Sequence, residues 1–226
     1  MIRVTENFRK IQDLLAKAAA DAGRSADQIR LLAVSKKKPA EAVLEAYFAG
    51  QRDFGENFVQ EGLEKIAAVD RDDAIWHFIG HLQSNKTKAV AEHFQWVHTI
   101  DRLKIARRLS AQRPHSAADL NVCIEVNIDA EDNKSGVAAN EVAELAAAVA
   151  DLPRLRLRGL MCLPRFRDDF DEQRQPFAKL RALMNSLNQS GMQLDTLSMG
   201  MTADYAAAIQ EGATIVRIGT AIFGAR

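Results

Sequence analysis

Eight strand-like segments separated by helical stretches run along this 226-residue chain, and that alternation constrains the fold more than any other feature. The segments lie at 29–35, 52–55, 75–79, 96–100, 120–127, 155–161, 196–198 and 214–218, mostly short apolar runs with turn residues between them. Helical stretches begin near Pro39, Asn57, Ser84, Asp101, Ala138, Phe170 and Thr202. Pro39 suits a first helical turn, where its missing N–H is no loss. Asp101 and Thr202 are expected to cap free amides, and Gly50, Gly191 and Gly212 to terminate helices. A further helix at the start carries Val4, Phe8, Ile11, Leu15 and Ala18 at helical spacing and ends at Gly23. Eight strands without an internal Gly/Ser/Pro linker predict an α/β fold of one domain, 1–226: a closed (β/α)₈ barrel with the extra helix packed outside it, beside the last helix. An open doubly wound sheet is the alternative. It usually needs fewer strands and a glycine-rich first turn, and Ser35-Lys36-Lys37-Lys38-Pro39 has no glycine.

The fifth segment supports closure. Leu120, Val122, Ile124 and Val126 alternate with Asn121, Cys123, Glu125 and Asn127, so the second set is expected to face a barrel interior. A buried Glu125 then needs a cation, and Arg158 on the neighbouring segment is the expected partner.

Composition excludes several classes of function. Thirty basic residues balance thirty acidic ones, and there are two Trp and two Tyr, a poor basis for a nucleic-acid surface. No apolar run approaches the roughly 18 residues that span a bilayer, and the first residues lack the apolar stretch of a signal peptide. Cys123 and Cys162, the only cysteines, sit in apolar segments, which fits a reducing cytoplasm and neither a disulfide framework nor a metal site.

Barrel active sites lie at the carboxyl ends of the strands. Those ends carry Lys36, Asn57, His77 with Gly80, Thr99 with Asp101, Asn127, Met161, Ser198 with Gly200, and Arg217 with Gly219 and Thr220. Lys36 closes an apolar run, where a desolvated amine is suited to Schiff-base formation with a carbonyl. The loops after the seventh and eighth strands commonly cradle phosphate. Here they supply Ser198, Gly200 and Thr202, then Gly219 and Thr220. A phosphate cradle facing a lysine calls for a ligand with a phosphate at one end and a carbonyl at the other. Pyridoxal 5′-phosphate fits, with Arg217 near its ring nitrogen.

Leu32-Ala33-Val34-Ser35-Lys36, Phe54-Gly55-Glu56-Asn57-Phe58-Val59-Gln60-Glu61 and Trp76-His77-Phe78-Ile79-Gly80-His81-Leu82-Gln83-Ser84-Asn85-Lys86 resemble the YggS/PROSC family of pyridoxal phosphate homeostasis proteins. So do Leu197-Ser198-Met199-Gly200-Met201 with Asp204, and the closing Val216-Arg217-Ile218-Gly219-Thr220-Ala221-Ile222-Phe223-Gly224. The resemblance covers the chain from the first helix onward, although many relatives continue a few residues past the position of Arg226. It implies a barrel similar to the N-terminal domain of alanine racemase, that is, a fold-type III PLP protein. It also implies Schiff-base attachment at Lys36, Arg217 near the pyridine nitrogen, phosphate contacts from Ser198, Gly219 and Thr220, and a pocket bordered by Asn57 and His77. Lys38 and Lys134 are candidate secondary acceptors.

The implied role is a monomeric, cytoplasmic, non-catalytic carrier that holds the cofactor and supplies it to apo-enzymes. Racemases of related fold need a second acid/base from another domain or subunit. An always-protonated arginine also leaves the pyridine nitrogen unprotonated and the ring a poor electron sink. The alternative is a low-activity PLP enzyme acting on amino acids. No catalytic residue and no metal ligand is assigned.

Overall fold

The computed structural model describes residues 3–132 and 134–224. Within the loop 132–136, Asn133 lies outside the described residues, as does Arg226. Eight parallel strands close into a barrel in sequence order. They are β1 (Arg30–Val34), β2 (Asp53–Glu56), β3 (Ile75–Phe78), β4 (Trp96–Ile100), β5 (Leu120–Val126), β6 (Leu155–Cys162), β7 (Thr196–Ser198) and β8 (Ile215–Ile218). Closure is direct: β8 pairs with β1, with Val216 opposite Leu31 and Ile218 opposite Ala33.

The helices are α1 (Val4–Asp21), α2 (Ala40–Phe48), α3 (Val59–Val69), α4 (Thr87–His93), α5 (Leu103–Gln112), α6 (Val142–Ala150), α7 (Phe170–Gln189), α8 (Tyr205–Gln210) and α9 (Thr220–Phe223). Helix α1 lies outside the barrel against α8, α9 and α2. It buries Val4, Phe8, Ile11, Leu15 and Ala19, one face at helical period. Asn7 Nδ2 donates to the Ile222 carbonyl at 3.0 Å, tying α1 to the end of the chain. No helix among the described residues is long and apolar enough to cross a membrane.

Helix ends follow the expected chemistry better than helix starts. Gly50, at φ +112°, donates to the Tyr47 carbonyl while Gln51 donates to that of Ala46, a Schellman closure of α2. Gly191 and Gly212 close α7 and α8 in the same way. The capping expectations for Asp101 and Thr202 are corrected. Helix α5 is preceded by Arg102 and α8 by Asp204, and neither Asp101 nor Thr202 caps a helix. Both helices begin later than their sequence signals, α5 at Leu103 and α8 at Tyr205. Pro39 occupies the N-cap of α2.

Alternation sorts each strand into an outer face under the helices and an inner face. Leu32, Trp96, Cys123, Met161 and Ile215 form an apolar cluster separate from the main core, with Ile75 and Ile79 packed against it. The same parity turns Lys36, Asn57, His77, His98, Glu125, Ser198 and Arg217 to the inside.

The expected Glu125–Arg158 pair does not form. Glu125 is level with Met161 across the β5–β6 ladder, and the register shifts by one residue between Val122 and Cys123. Arg158 sits some three residues lower, roughly 10 Å along a strand. It binds both carboxylate oxygens of Asp195, at 2.9 and 2.7 Å, and Asn121 at 2.9 Å, with its guanidinium 5.0 Å from the Trp96 ring.

Candidate functional site

The carboxyl end of β1 is held from outside the barrel by a buried charge cluster. Lys65 Nζ has three protons and three acceptors: the Ser35 carbonyl at 2.6 Å, Glu56 Oε1 at 2.7 Å and Glu61 Oε1 at 2.7 Å. Ser35 Oγ donates to Glu56 at 2.6 Å, and the Lys37 amide donates to Glu61. Burial pushes the Glu56 carboxyl above its ordinary range, against the opposing pull of Lys65 and Ser35. Lys37 takes a left-handed conformation at φ +59°, turning the chain sharply after Lys36. Lys36 therefore follows β1 on a backbone pinned at the residue before it and the residue after it.

Lys36 borders a cavity of about 280 Å³ at the barrel mouth, with Asn57, Arg217, Gly219 and Thr220. Val34, Ile79, Met161, Leu163, Met201 and Thr202 complete the wall. Volume and lining suit a small ligand that carries both apolar and polar groups. Among the described residues, Asn57 Oδ1 is buried without a hydrogen-bond partner, an orphan that a ligand in this cavity can satisfy. Gly80 makes this position of Asn57 accessible: a Cβ on residue 80 would lie 2.0 Å from the Asn57 carbonyl oxygen.

Arg217 is 4 % exposed and anchored by three donated hydrogen bonds. Nη1 reaches the Ser198 carbonyl at 2.7 Å and Ser198 Oγ at 2.8 Å; Nη2 reaches the Cys162 carbonyl at 2.9 Å. Two of its five donors are left for whatever enters the cavity. Burial lowers the Arg217 pKa from its ordinary value, but an arginine remains protonated.

Three residues expected at the ligand stand elsewhere. Ser198 is wholly buried, and its hydroxyl faces Arg217 and His98, so the expected phosphate contact from this side chain is corrected. Thr202, the other hydroxyl expected from this loop, does line the cavity. Gly200 is absent from the wall; it supplies a backbone at φ +91°, and a Cβ there would lie 2.6 Å from that of Ala208. His77 lies below the cavity, wholly buried and stacked on Trp96 at 5.4 Å. Burial lowers the pKa of His77, and that of His98 falls well below the ordinary histidine value, first through burial and then through its charged neighbours.

Of the two candidate secondary acceptors, Lys38 donates to the Gly224 carbonyl at 2.9 Å. Lys134 pairs with Glu131 at 2.6 Å and borders a second cavity of about 310 Å³ with Glu125, Asn127 and Ser135. Leu163 is common to both cavities.

Glu125 is 6 % exposed, and no described residue donates a hydrogen bond to its carboxyl. Burial, with Asp101 nearby, pushes its pKa up to about 7 despite Arg217. A carboxyl raised above its unfolded value favours folding while neutral; that contribution is lost as pH rises through about 7. Glu125→Gln should therefore stabilise the protein by on the order of 2–3 kcal/mol near pH 8 and hardly at all near pH 4. Urea denaturation at the two pH values checks this; equal midpoint shifts at both would contradict it.

Residues 4–226 match the family model described as alanine racemase, N-terminal domain. The pyridoxal phosphate homeostasis protein of Pseudomonas aeruginosa is 55% identical over 226 residues, covering 100% of this chain and 97% of that protein. Among solved structures, PipY of Synechococcus elongatus without PLP superposes with a TM-score of 0.87 at 35% identity, over 98% of this chain and 100% of PipY. PipY with PLP bound gives a TM-score of 0.81 at 35% identity, over 93% and 100%.

Proposed function

The chain belongs to the alanine racemase N-terminal-domain family and, within it, to the pyridoxal phosphate homeostasis proteins; on that premise we propose that it holds pyridoxal 5′-phosphate through a Schiff base on Lys36 and hands it to apo-enzymes. The observation that carries this reading is the convergence of Lys36, Arg217 and the Gly219–Thr220 turn on one cavity of about 280 Å³. PLP, when bound, supplies an aldehyde that condenses reversibly with an amine. Lys36 offers the amine from a backbone fixed on both sides. Gly219, Thr220 and Thr202 offer amides and hydroxyls for the phosphate, and Asn57 offers a polar side chain to the ring substituents. Arg217, on the wall of the same cavity, would donate to the ring nitrogen.

The arginine argues for storage over turnover. A guanidinium donates and does not accept, so a ring nitrogen beside Arg217 stays unprotonated and the ring withdraws electrons weakly. Amino-acid chemistry through a carbanion is disfavoured, while reversible capture of an aldehyde is not.

Borohydride reduction of the PLP-loaded protein, followed by peptide mapping, should place the label on Lys36. Lys36→Ala should lose the visible absorption band and keep its fold. A label confined to Lys38 or Lys134 in the unaltered protein would sink the assignment. The same loaded protein, mixed with an apo-enzyme and a scavenger of free cofactor, tests transfer. Reactivation should survive the scavenger; its complete loss would limit the role to storage.

A further inference from the structure

A file of polar side chains runs down the barrel interior behind Arg217. Ser198 Oγ, which accepts from Arg217 Nη1 at 2.8 Å, lies 2.8 Å from His98 Nδ1. His98 Nε2 lies 2.9 Å from His77 Nδ1, and His77 Nε2 lies 2.9 Å from Asp53 Oδ1. Asp53 in turn accepts from Arg30 Nη1 at 3.0 Å. Ser198, His98 and His77 are all wholly buried. Five contiguous hydrogen bonds thus join the cavity wall to Arg30 at the opposite end of the barrel.

One arrangement of protons satisfies the whole file. The guanidinium only donates, so Ser198 Oγ accepts from it and has its own proton to give to His98 Nδ1. A neutral His98 then carries its proton on Nε2 and donates to His77 Nδ1. His77 likewise carries its proton on Nε2 and donates to the Asp53 carboxylate. In the reverse order, the bare Nε2 of His77 would face the lone pairs of Asp53 at 2.9 Å. Asp53 at one end and Arg217 at the other therefore fix the direction. The two depressed histidine pKa values agree with both rings being neutral.

We propose that Ser198, His98 and His77 are positioning residues for Arg217, a one-way hydrogen-bonded file that sets where the guanidinium points and hence its contact with the ring nitrogen of the ligand. The ligand half of the statement rests on the PLP reading above; the proton order does not. Arg217 has a long side chain, and two of its three anchors are backbone carbonyls on β6 and β7 that fix position but can be met in several rotations. Ser198 Oγ, whose lone pairs are directed by its own bond to His98, is the anchor that selects one. Loss of any link leaves a buried polar atom unpaired on each side of it.

Two measurements test this. In the ligand-free protein, ¹⁵N NMR of the imidazoles should show His77 and His98 neutral with the proton on Nε2. In the loaded protein, the relevant quantity is the ratio of affinities for PLP and its 1-deaza analogue, which has carbon in place of the ring nitrogen. A charged donor to that nitrogen should give the wild-type protein a preference of about tenfold or more for PLP. The preference should fall towards unity in Ser198→Ala and His98→Phe. His98→Gln, which can accept from Ser198 and donate to His77, should keep it. A purely structural defect would weaken both ligands alike. A proton on Nδ1 of either histidine, or a ratio unchanged in Ser198→Ala and His98→Phe, overturns the proposal. Absence of PLP binding by the wild-type protein would overturn the reading of the site and leave the NMR result to decide the file.

Discussion

Pyridoxal should bind about a hundredfold to a thousandfold more weakly than pyridoxal 5′-phosphate. The turn at Gly219 and Thr220, with Thr202 across the cavity, presents amides and hydroxyls where two consecutive βα loops meet. A hydrogen bond to a charged group contributes about 1.5–3 kcal/mol, so three give on the order of 5–9 kcal/mol. Thr202 and Thr220 are exposed, and the phosphate must shed water to reach them, so about half of that remains. At about 1.4 kcal/mol per tenfold, the remainder corresponds to roughly two to three orders of magnitude in affinity. Thr220→Val should weaken the phosphorylated ligand far more than the unphosphorylated one, and inorganic phosphate should compete with PLP. Titrations of both ligands against wild type and Thr220→Val measure this. Equal affinities for pyridoxal and its phosphate would remove these loops from the binding site.

The barrel and the site were legible in the sequence to different depths. Eight strands spaced by helices leave few closed topologies, and the polar alternation of β5 correctly turned Cys123 and Glu125 inward. Lys36, Asn57, Arg217, Gly219 and Thr220 were legible because a strand tip in a barrel always faces the mouth. What was hidden depends on register and depth. Arg158 looks adjacent to Glu125 on paper, but the shifted β5–β6 ladder sends it to the other end of the barrel. Ser198 and His77 have the parity of site residues and lie below the cavity, because parity gives a side chain's direction and not its height. His98, hidden between Val97 and Thr99 in an apolar strand, gave no tip signal; its inward parity was the only clue, and that needed the register of β4.

The same depth problem hid the cluster beneath Lys36, whose removal should have the largest effect on stability. Glu56 is wholly buried, and Lys65 is 4 % exposed. Removing one partner of a buried pair typically costs about 3–5 kcal/mol, because the other charge is left uncompensated. Lys65→Met should therefore destabilise the protein by about that much near neutral pH. Without Lys65, the main influence lowering the Glu56 pKa is gone, and burial pushes that carboxyl higher still. A carboxyl raised in the folded state loses its favourable contribution as pH climbs through its folded value, so the loss in Lys65→Met should shrink towards acid pH and grow above neutrality. Adding Glu56→Gln should restore more than half of the lost stability, since an amide needs no counter-charge. Denaturant melts of the three variants across pH decide this; a loss below about 1 kcal/mol would mean that the cluster is not desolvated as its burial indicates. The consequence reaches the cavity through the backbone. Lys65 holds the Ser35 carbonyl, and Glu61, bound to Lys65, holds the Lys37 amide. Relaxing both sides of Lys36 should weaken the double variant's hold on PLP even where its stability has recovered, separating the cluster's part in the fold from its part in placing the amine.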